Sequence, residues 1–351
     1  MKARIIVPAA LLTLLALVPC AALGQYTVVL GGLNSPRGLT FGPGNRLYVA
    51  QAGSGATNGK ITEISNPSAS TPAVRDVVTG LFSAVHTEGE AVGVDGVSAL
   101  GNGNIFAVMA LSNEALGFPS SLGHLLQVSQ AGQIRSVADV GDFDFEWSKA
   151  HLNLASHDFP DANPYAVFAL PDKIYIADAA SNTLNLVRPD GSDEILAYFP
   201  NNALADATPT CIAQGPDGAL YVGTLALVDS IVFGPSAKVY RVDPNAADPS
   251  RLLTVLNIAT LWADNLGPIN GCAFGPDGTF YASEFFTAPA FANGDVVKIP
   301  FDRPDQHISL TGGKLLFPAG VAVGADGTVF VSNGSAELPE GQGQVVRLTA
   351  K

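Results

Sequence analysis

Thr210-Cys-Ile-Ala-Gln-Gly-Pro-Asp-Gly-Ala-Leu-Tyr-Val-Gly223 is the stretch that decides the fold of this chain. A short apolar run stops at Gly-Pro-Asp-Gly, and a second apolar run follows at once. This arrangement predicts two antiparallel strands joined by a tight turn, in which Asp217 and Gly218 supply the left-handed backbone angles. The stretch is important because it recurs along the chain.

The same two-strand unit occurs six times. In every copy an aliphatic or aromatic residue lies nine positions after the first residue and begins the second strand. The copies are unevenly spaced, and the differences fall in loops, which tolerate insertions. The copies start at Gly38, Gly96, Tyr165, Cys211, Gly271 and Gly320.

Further strands follow each copy. A third strand is predicted in all six, at 60–64, 124–128, 183–187, 238–242, 295–299 and 344–348. A fourth is predicted in five, at 74–78, 134–140, 194–199, 252–256 and 307–310. The sixth copy has no chain left for one, and a strand at 26–30 supplies it from the other end. The pattern predicts an all-β, six-bladed β-propeller of four-stranded blades, closed by the N-terminal strand joining the last blade.

Composition restricts the class of partner. The chain has 351 residues, of which 47% are hydrophobic and 14% charged, and its net charge is −13. This acidic balance argues against nucleic acid or an anionic membrane as a partner. We expect the protein to be a monomer and to bind a small molecule or another exported protein.

The first 24 residues are predicted to be a secretory signal peptide. Lys2 and Arg4 precede an apolar run, Pro19 breaks the helix, and small residues before Gln25 form a cleavage site. The run is too short for a membrane span, which needs about 20 residues. Residues 25–351 would then form the propeller of a secreted or periplasmic protein.

Export leaves two cysteines in an oxidising compartment, Cys211 and Cys272. Cys211 is the first residue of its copy and Cys272 the second of the next. Successive residues of a strand point to opposite faces, so we expect these side chains to diverge and to be free, buried thiols.

Several segments resemble the ScyD/ScyE family, exported bacterial propellers related to NHL-repeat proteins and named for genes clustered with scytonemin biosynthesis. The segments are 33–44, which contains Asn-Ser-Pro-Arg-Gly, 47–53, the Asp161-Ala-Asn-Pro-Tyr165 stretch, 237–242 and 320–327. The resemblance covers essentially the whole mature chain and implies the same propeller fold. It implies no defined reaction and no catalytic residues.

The residues that could bind a ligand or a metal ion lie thirteen positions after the start of each copy, just beyond its second strand. Propellers bind ligands where loops converge at a channel mouth. Asp178, Glu284 and Asn333 would supply oxygen ligands suited to Ca²⁺ if they approach the axis. The alternative is that such side chains bond the backbone of the next turn. The full set is Gln51, Met109, Asp178, Thr224, Glu284 and Asn333.

Two weaker groups of candidates lie in long loops. One could hold a transition metal, although its spacing matches no established ligand pattern. The other could act in acid–base chemistry, although a charged loop is the simpler interpretation. The first comprises His151, His157, Asp158 and Asp161, and the second Glu88, Glu90 and Asp95.

Taken together, the sequence favours a binding or accessory protein that uses the channel mouth and the loops 83–95, 142–164, 225–236 and 285–294. The alternative is a metal-assisted hydrolase or lactonase, in which a cation at the channel polarises a carbonyl and activates water.

Overall fold

The computed structural model describes residues 26–85, 90–116, 121–287, 291 and 293–349. Their strands form six antiparallel sheets, one per repeat. The predicted six-bladed propeller is therefore confirmed. The predicted signal peptide, residues 1–24, lies outside the described residues.

The first strand of the chain completes the last blade, as predicted. β1 (Tyr26–Leu33) pairs antiparallel with the final strand, with Tyr26 opposite Leu348.

The first three blades then follow in order. Blade 1 comprises β2 (Pro36–Gly42), β3 (Arg46–Gln51), β4 (Ala56–Ser65), β5 (Ala73–Val85) and the short β6 (Ala91–Val92). Blade 2 comprises β7 (Val94–Ala99), β8 (Ile105–Met109), β9 (His124–Val128) and β10 (Ile134–Asp139). Blade 3 comprises β11 (Pro164–Ala169), β12 (Ile174–Asp178), β13 (Thr183–Val187) and β14 (Asp193–Tyr198).

The remaining blades repeat the plan. Blade 4 comprises β15 (Pro209–Gln214), β16 (Leu220–Thr224), β17 (Ala237–Val242) and β18 (Thr260–Leu266). Blade 5 comprises β19 (Ile269–Phe274), β20 (Phe280–Glu284), β21 (Asn293–Ile299) and β22 (Ile308–Ser309), with β23 (Leu315–Leu316) also paired to β21. Blade 6 comprises β24 (Val321–Val323), β25 (Val329–Asn333), β26 (Gly343–Leu348) and β1.

The prediction for the fourth strand of blade 4 was wrong. The apolar run predicted as a strand at 252–256 forms a helical turn, in which Leu256 N–H donates to Leu252 O at 2.9 Å. Residues 260–266, for which the repeat pattern predicts no strand, pair with β17 instead. A five-residue apolar run is compatible with either a helix or a strand, and pairing with the neighbouring strand of the sheet determines which segment becomes the strand.

The turn of the opening stretch differs in detail from its prediction. Only Gly218 takes a positive φ, +78°. Asp217 instead accepts the backbone N–H of Ala219 and an Arg241 N–H, at 3.2 and 2.7 Å. The carboxylate thus holds the turn, and glycine alone supplies the left-handed angle.

In the described part of the chain, four short helices occupy the connections: α1 (Asn113–Leu116), α2 (Val140–Ala150), α3 (Leu227–Phe233) and α4 (Leu252–Val255). Asp139 caps α2 by accepting the Asp142 backbone N–H at 3.1 Å. Two loops predicted to carry function, 142–164 and 225–236, therefore contain helices. No helix among the described residues is long and apolar enough to cross a membrane.

The hydrophobic core lies between neighbouring blades. The ring of Tyr221 in blade 4 packs edge-on against Phe274 of blade 5, with 5.0 Å between ring centroids. Trp262 packs in the same cluster against Phe280, at 5.4 Å. Each fully buried aromatic side chain contributes about 1.5–3 kcal/mol to stability, so these contacts fix the angle between blades.

Innermost strands approach one another closely around the axis. At Gly96, an added Cβ would lie 2.8 Å from the carbonyl oxygen of Tyr165 in the next blade. At Gly320, it would lie 2.5 Å from that of Arg37. Four of the six repeats begin with glycine because a side chain there would push the inner strands apart.

The expectation of two free cysteines was wrong. Cys211 and Cys272 form a disulfide, with their Cα atoms 5.6 Å apart. The two side chains do point to opposite faces of their own blades. In a propeller, however, one face of a blade packs against the opposite face of the next, so this divergence brings the sulfurs together. The bond joins the innermost strands of blades 4 and 5.

Candidate functional site

Irregularities in the innermost strands place side chains at one mouth of the channel. In blade 2, Val94 pairs with Met109 and Gly96 with Val108, so Asp95 is left out of the ladder. Such a β-bulge bends the strand and redirects the extra side chain. The same shift occurs in blades 3, 4 and 5, at Tyr165, Thr210 and Asn270, and a wider one includes Arg37 in blade 1.

We call these five residues the polar ring: Arg37, Asp95, Tyr165, Thr210 and Asn270. They line a cavity of about 60 Å³ to which all six blades contribute. Blade 6 supplies Ala319 at the matching place. The sequence pattern predicts Tyr165 as the first residue of its repeat. The register assigns that role to Ala166, because the turn of blade 3 is one residue shorter.

Arg37 is the central residue of the polar ring. It is 2% exposed, and its Nη2 donates to Glu90 Oε1 at 2.8 Å and to Ala91 O at 3.0 Å. Its Nη1 donates to the hydroxyl of Tyr165 at 3.2 Å. That hydroxyl donates in turn to Asn270 Oδ1 at 2.6 Å. A hydrogen-bonded chain therefore crosses the channel from blade 1 through blade 3 to blade 5.

Two buried polar atoms in this ring have no hydrogen-bond partner among the described residues: Arg37 Nε and Asp95 Oδ1. They lie 3.9 Å apart, so they form an ion pair without a direct hydrogen bond. Buried donors and acceptors of this kind are rare in folded proteins and usually indicate a function or a bound molecule. The site thus presents one donor and one acceptor side by side.

Burial shifts the pKa values of the ionisable side chains in the polar ring. It raises the pKa of Asp95 to about 7, because it outweighs the nearby Arg37, which lowers that pKa, and Glu90 adds to the rise. Burial also raises the pKa of Tyr165 to about 12, so the phenol stays protonated and available as a donor. For Arg37, burial lowers the pKa, but Tyr165, Asp95 and Glu90 raise it to a net value well above the ordinary one.

The channel narrows at an apolar layer next to the polar ring. Leu39, Val97, Val167, Ile212, Cys272 and Val321, one from each blade, line both the polar cavity and a larger one of about 370 Å³ towards the other mouth. The disulfide lies at this layer. The two ends of the channel therefore differ in chemistry, and the charged groups face only one of them.

The residues predicted from the sequence lie at the same end, one strand further from the axis. They end the second strands, whereas the innermost strand of each blade is the first. Gln51 donates to Thr62 Oγ1 at 2.8 Å, and Thr224 accepts the Lys238 N–H at 3.0 Å. Met109 is fully buried in the core. None of these three lines the channel cavity.

The three oxygen ligands proposed for Ca²⁺ lie in different blades and hold backbone groups there. Asp178 accepts the N–H groups of Asn163 and Ser181, at 2.9 and 2.8 Å. Glu284 Oε1 accepts from Gly267 at 2.8 Å, and Asn333 Oδ1 accepts from Leu316 at 2.7 Å. This geometry fits the backbone-bonding alternative and does not bring the three together as a shared metal site.

Asp178 does belong to a cluster of acids. Asn185 donates to Asp144 at 2.8 Å and to Asp193 at 3.1 Å, and Asp144 projects from α2 into blade 3. Burial raises the pKa of Asp144 well above its ordinary value, and Asp178 and Asp193 add to this rise. The raised pKa favours the protonated form of Asp144 beside the two other acids. Among the described residues, no group of three His, Cys, Asp or Glu side chains could hold a metal ion.

Some of the weaker candidate residues make only local contacts within their own loop or with a neighbouring one. Others contact the polar ring. His151 bonds the Trp147 carbonyl oxygen at 2.8 Å, and His157 lies 3.5 Å from Asp206. Asp161 Oδ1 accepts the Ala162 N–H at 2.9 Å, and Asp158 lies in the same loop. Glu90 and Asp95 both face Arg37, whereas Glu88 lies outside the described residues.

Sequence reasoning missed the two central residues of the ring, although their segments had been singled out. Arg37 lies in the Asn-Ser-Pro-Arg-Gly segment and Tyr165 in Asn-Pro-Tyr, the two most specific features of the resemblance. A charged residue directly before the glycine that starts a repeat was the available signal. It also occurs at Asp95.

Comparison with known proteins establishes the fold. No protein-family model matches the sequence, and no curated protein matches it either. Solved structures similar to this chain include a PQQ-bound aldose sugar dehydrogenase from Streptomyces coelicolor (14% identity, 93% of this chain and 98% of that one, TM-score 0.57). They also include a gluconolactonase from Xanthomonas campestris (11%, 93% and 89%, 0.53) and a streptogramin B lyase (13%, 93% and 97%, 0.53). The chain thus has the six-bladed fold of NHL-like and gluconolactonase-like propellers.

Proposed function

We propose that this protein is an exported binding or accessory protein of the ScyD/ScyE type that holds a small polar ligand at the polar ring. The observation that carries the proposal is the pair Arg37 Nε and Asp95 Oδ1, buried side by side and without hydrogen-bond partners among the described residues. The family resemblance of the Arg37 and Tyr165 segments supports it.

The pair defines the chemistry of the ligand. Arg37 Nε–H requires an acceptor, and Asp95 Oδ1, when ionised, requires a donor. A primary amide or a hydroxyl group offers both within one small group. The cavity of about 60 Å³ admits only a few heavy atoms. The ligand therefore places an amide or hydroxyl group in the ring, and any larger part lies across the mouth.

A titration followed by NMR tests this proposal on the mature chain, residues 25–351, with its disulfide intact. Acetamide and urea, which donate and accept, should perturb the amide resonances of Asp95 and Tyr165. Acetate and methylammonium, which do only one of the two, should bind more weakly. Arg37→Lys keeps the charge and removes Nε–H, so it should weaken acetamide binding about tenfold.

Asp95→Asn is the matched second variant, because it keeps the shape of the side chain. If neither amide perturbs the ring, or if both variants bind acetamide like the wild type, the proposal is wrong. Near-ultraviolet circular dichroism of each variant confirms that it is folded.

The metal role of Asp178, Glu284 and Asn333 remains a prediction, and the same preparation tests it. Calcium titration with Asp178→Ala and Glu284→Ala would show tight binding that both variants abolish if the hydrolase alternative is correct.

Export is tested by expression with the natural N-terminus. Mass spectrometry of the extracellular or periplasmic product should show a chain beginning at Gln25.

A further inference from the structure

A separate cavity, of about 180 Å³, lies between blades 4 and 5 at the same end of the propeller as the polar ring. Ser230 and Pro235 line it from α3 and the loop after it. Gly267 and Pro268 line it from the link between β18 and β19, and Glu284 and Phe286 from the end of β20. Its lining shares no residue with the channel cavity.

Ser230 places a buried hydroxyl without a partner beside this cavity. The residue is 2% exposed, and its Oγ has no hydrogen-bond partner among the described residues. The preceding residue anchors the helix, since Asp229 Oδ1 accepts the backbone N–H of Ala203 at 2.9 Å. The hydroxyl is therefore held in position on an anchored segment that lines the cavity.

When ionised, Glu284 gives the cavity a negative charge, and no cation among the described residues balances it. Within the described part of the chain it forms no salt bridge, and no Lys, Arg or His lines the cavity. Its neighbour across the ladder is Asp295, whose oxygens accept from Thr311 and Ser309. Burial raises the pKa of Glu284 to about 7, the Gly267 N–H lowers it, and Asp295 raises it.

The rest of the lining is mixed. Pro235, Pro268 and Phe286 provide apolar surface, and Asn265 and Thr287 provide further polar groups. The Phe286 ring packs on Phe291 with 5.3 Å between centroids. A dry cavity of about 150 Å³ is large enough for benzene. An apolar body the size of one ring therefore fits here, with its polar end directed at Glu284.

We propose that this cavity binds a small organic cation, a primary ammonium group on an apolar body. The ammonium would donate to Glu284 and to Ser230 Oγ, and the apolar body would pack on Phe286 and the two prolines. The net charge of −13 favours the approach of such cations. The proposal is independent of the ligand at the polar ring.

Calorimetric titration of the mature protein tests it with three probes of one shape. Benzylammonium should bind, whereas benzyl alcohol and benzoate should bind at least tenfold more weakly. Glu284→Gln should weaken benzylammonium binding about tenfold or more, because it removes the charge and keeps the shape. Glu146→Gln, which changes an exposed carboxylate on α2 outside both cavities, should leave it unchanged.

Ser230→Val provides a second variant that fills the cavity from α3 and leaves Glu284 in place. It should also weaken benzylammonium binding, which keeps the test decisive if Glu284→Gln fails to fold. Equal binding of benzyl alcohol and benzylammonium, or full binding by a folded Glu284→Gln protein, overturns the proposal. Calcium binding at Glu284 without any ammonium binding overturns it as well.

Discussion

The hydroxyl of Tyr165 lies 3.2 Å from Nη1 of Arg37, although 128 positions separate them in the chain. The same hydroxyl donates to Asn270 Oδ1 at 2.6 Å. Blades 1, 3 and 5 do not pack against one another directly, yet these three side chains join them across the axis. The polar ring is therefore a structural tie as well as a candidate binding site.

Removing the Tyr165 hydroxyl should destabilise the fold. Tyr165→Phe leaves Asn270 Oδ1 and one Arg37 N–H buried without a partner, at a cost of about 1–3 kcal/mol. Urea unfolding measures this change. Tyr281→Phe is the control and should change the unfolding free energy little, because no hydrogen bond of its hydroxyl is found among the described residues. Equal effects of the two variants would contradict the prediction.

Stability should fall as pH rises from about 4 to 7. The pKa of Asp95 is about 7 in the folded protein against an ordinary 3.8, so the folded state binds more protons in this range. One such group changes the free energy of unfolding by at most about 1.4 kcal/mol per pH unit. Burial is also the main cause that raises the pKa values of Asp193 and Glu284 to about 7, although hydrogen bonds oppose it. These two groups therefore also make the protein less stable as the pH rises.

Urea unfolding at pH 5, 6, 7 and 8 checks this slope. Asp95→Asn cannot ionise, so its stability should depend less steeply on pH than that of the wild type. A wild-type protein that gains stability from pH 5 to pH 7 would show that the buried carboxyls are ionised and paired.

The disulfide should contribute strongly to stability. It links residues 61 positions apart, and the chain-entropy model assigns about 4 kcal/mol to a loop of this length. Reduction should therefore lower the urea midpoint of the wild type. The double variant Cys211→Ala and Cys272→Ala should resemble the reduced protein and be insensitive to reductant. Two reactive thiols in the unreduced mature protein would disprove the bond.

Close approach at the axis predicts different effects for two glycines. In Gly320→Ala the new Cβ would lie 2.5 Å from backbone atoms of Arg37 and Leu39, which cannot move independently. We expect a loss of more than about 3 kcal/mol, or failure to fold. Gly31→Ala in β1 meets nothing within 4 Å and should be nearly neutral. Thermal melting of both variants gives the comparison.

The fold was predictable because its signal is repeated. Six copies of one hairpin motif, with a spare strand at 26–30, define the blade count and the closure without any long-range information. Where a single element had to be assigned alone, as at 252–256, local pattern was ambiguous and the sheet partner decided.

The site was less predictable, because it depends on contacts between blades. Alternation along one strand correctly separates Cys211 from Cys272, but only the packing of opposite faces shows that this brings them together. Likewise, a bulge is not visible in composition, so Asp95 and Tyr165 were not recognised as facing the channel. The residues found by counting positions lie at the same end of the propeller as the polar ring, one strand further from the axis.

The pairing of β1 with β26 has a kinetic consequence. The strand that is synthesised first finds its partner only when the strand at 343–348 is available, nearly the whole chain later. Contacts of such long sequence separation slow folding, because loop-closure entropy must be overcome before they form. Until then β1 is an unpaired edge that can pair with other chains. The ring can therefore close only after residues 343–348 have been synthesised, and until then both β1 and its place in blade 6 remain open edges.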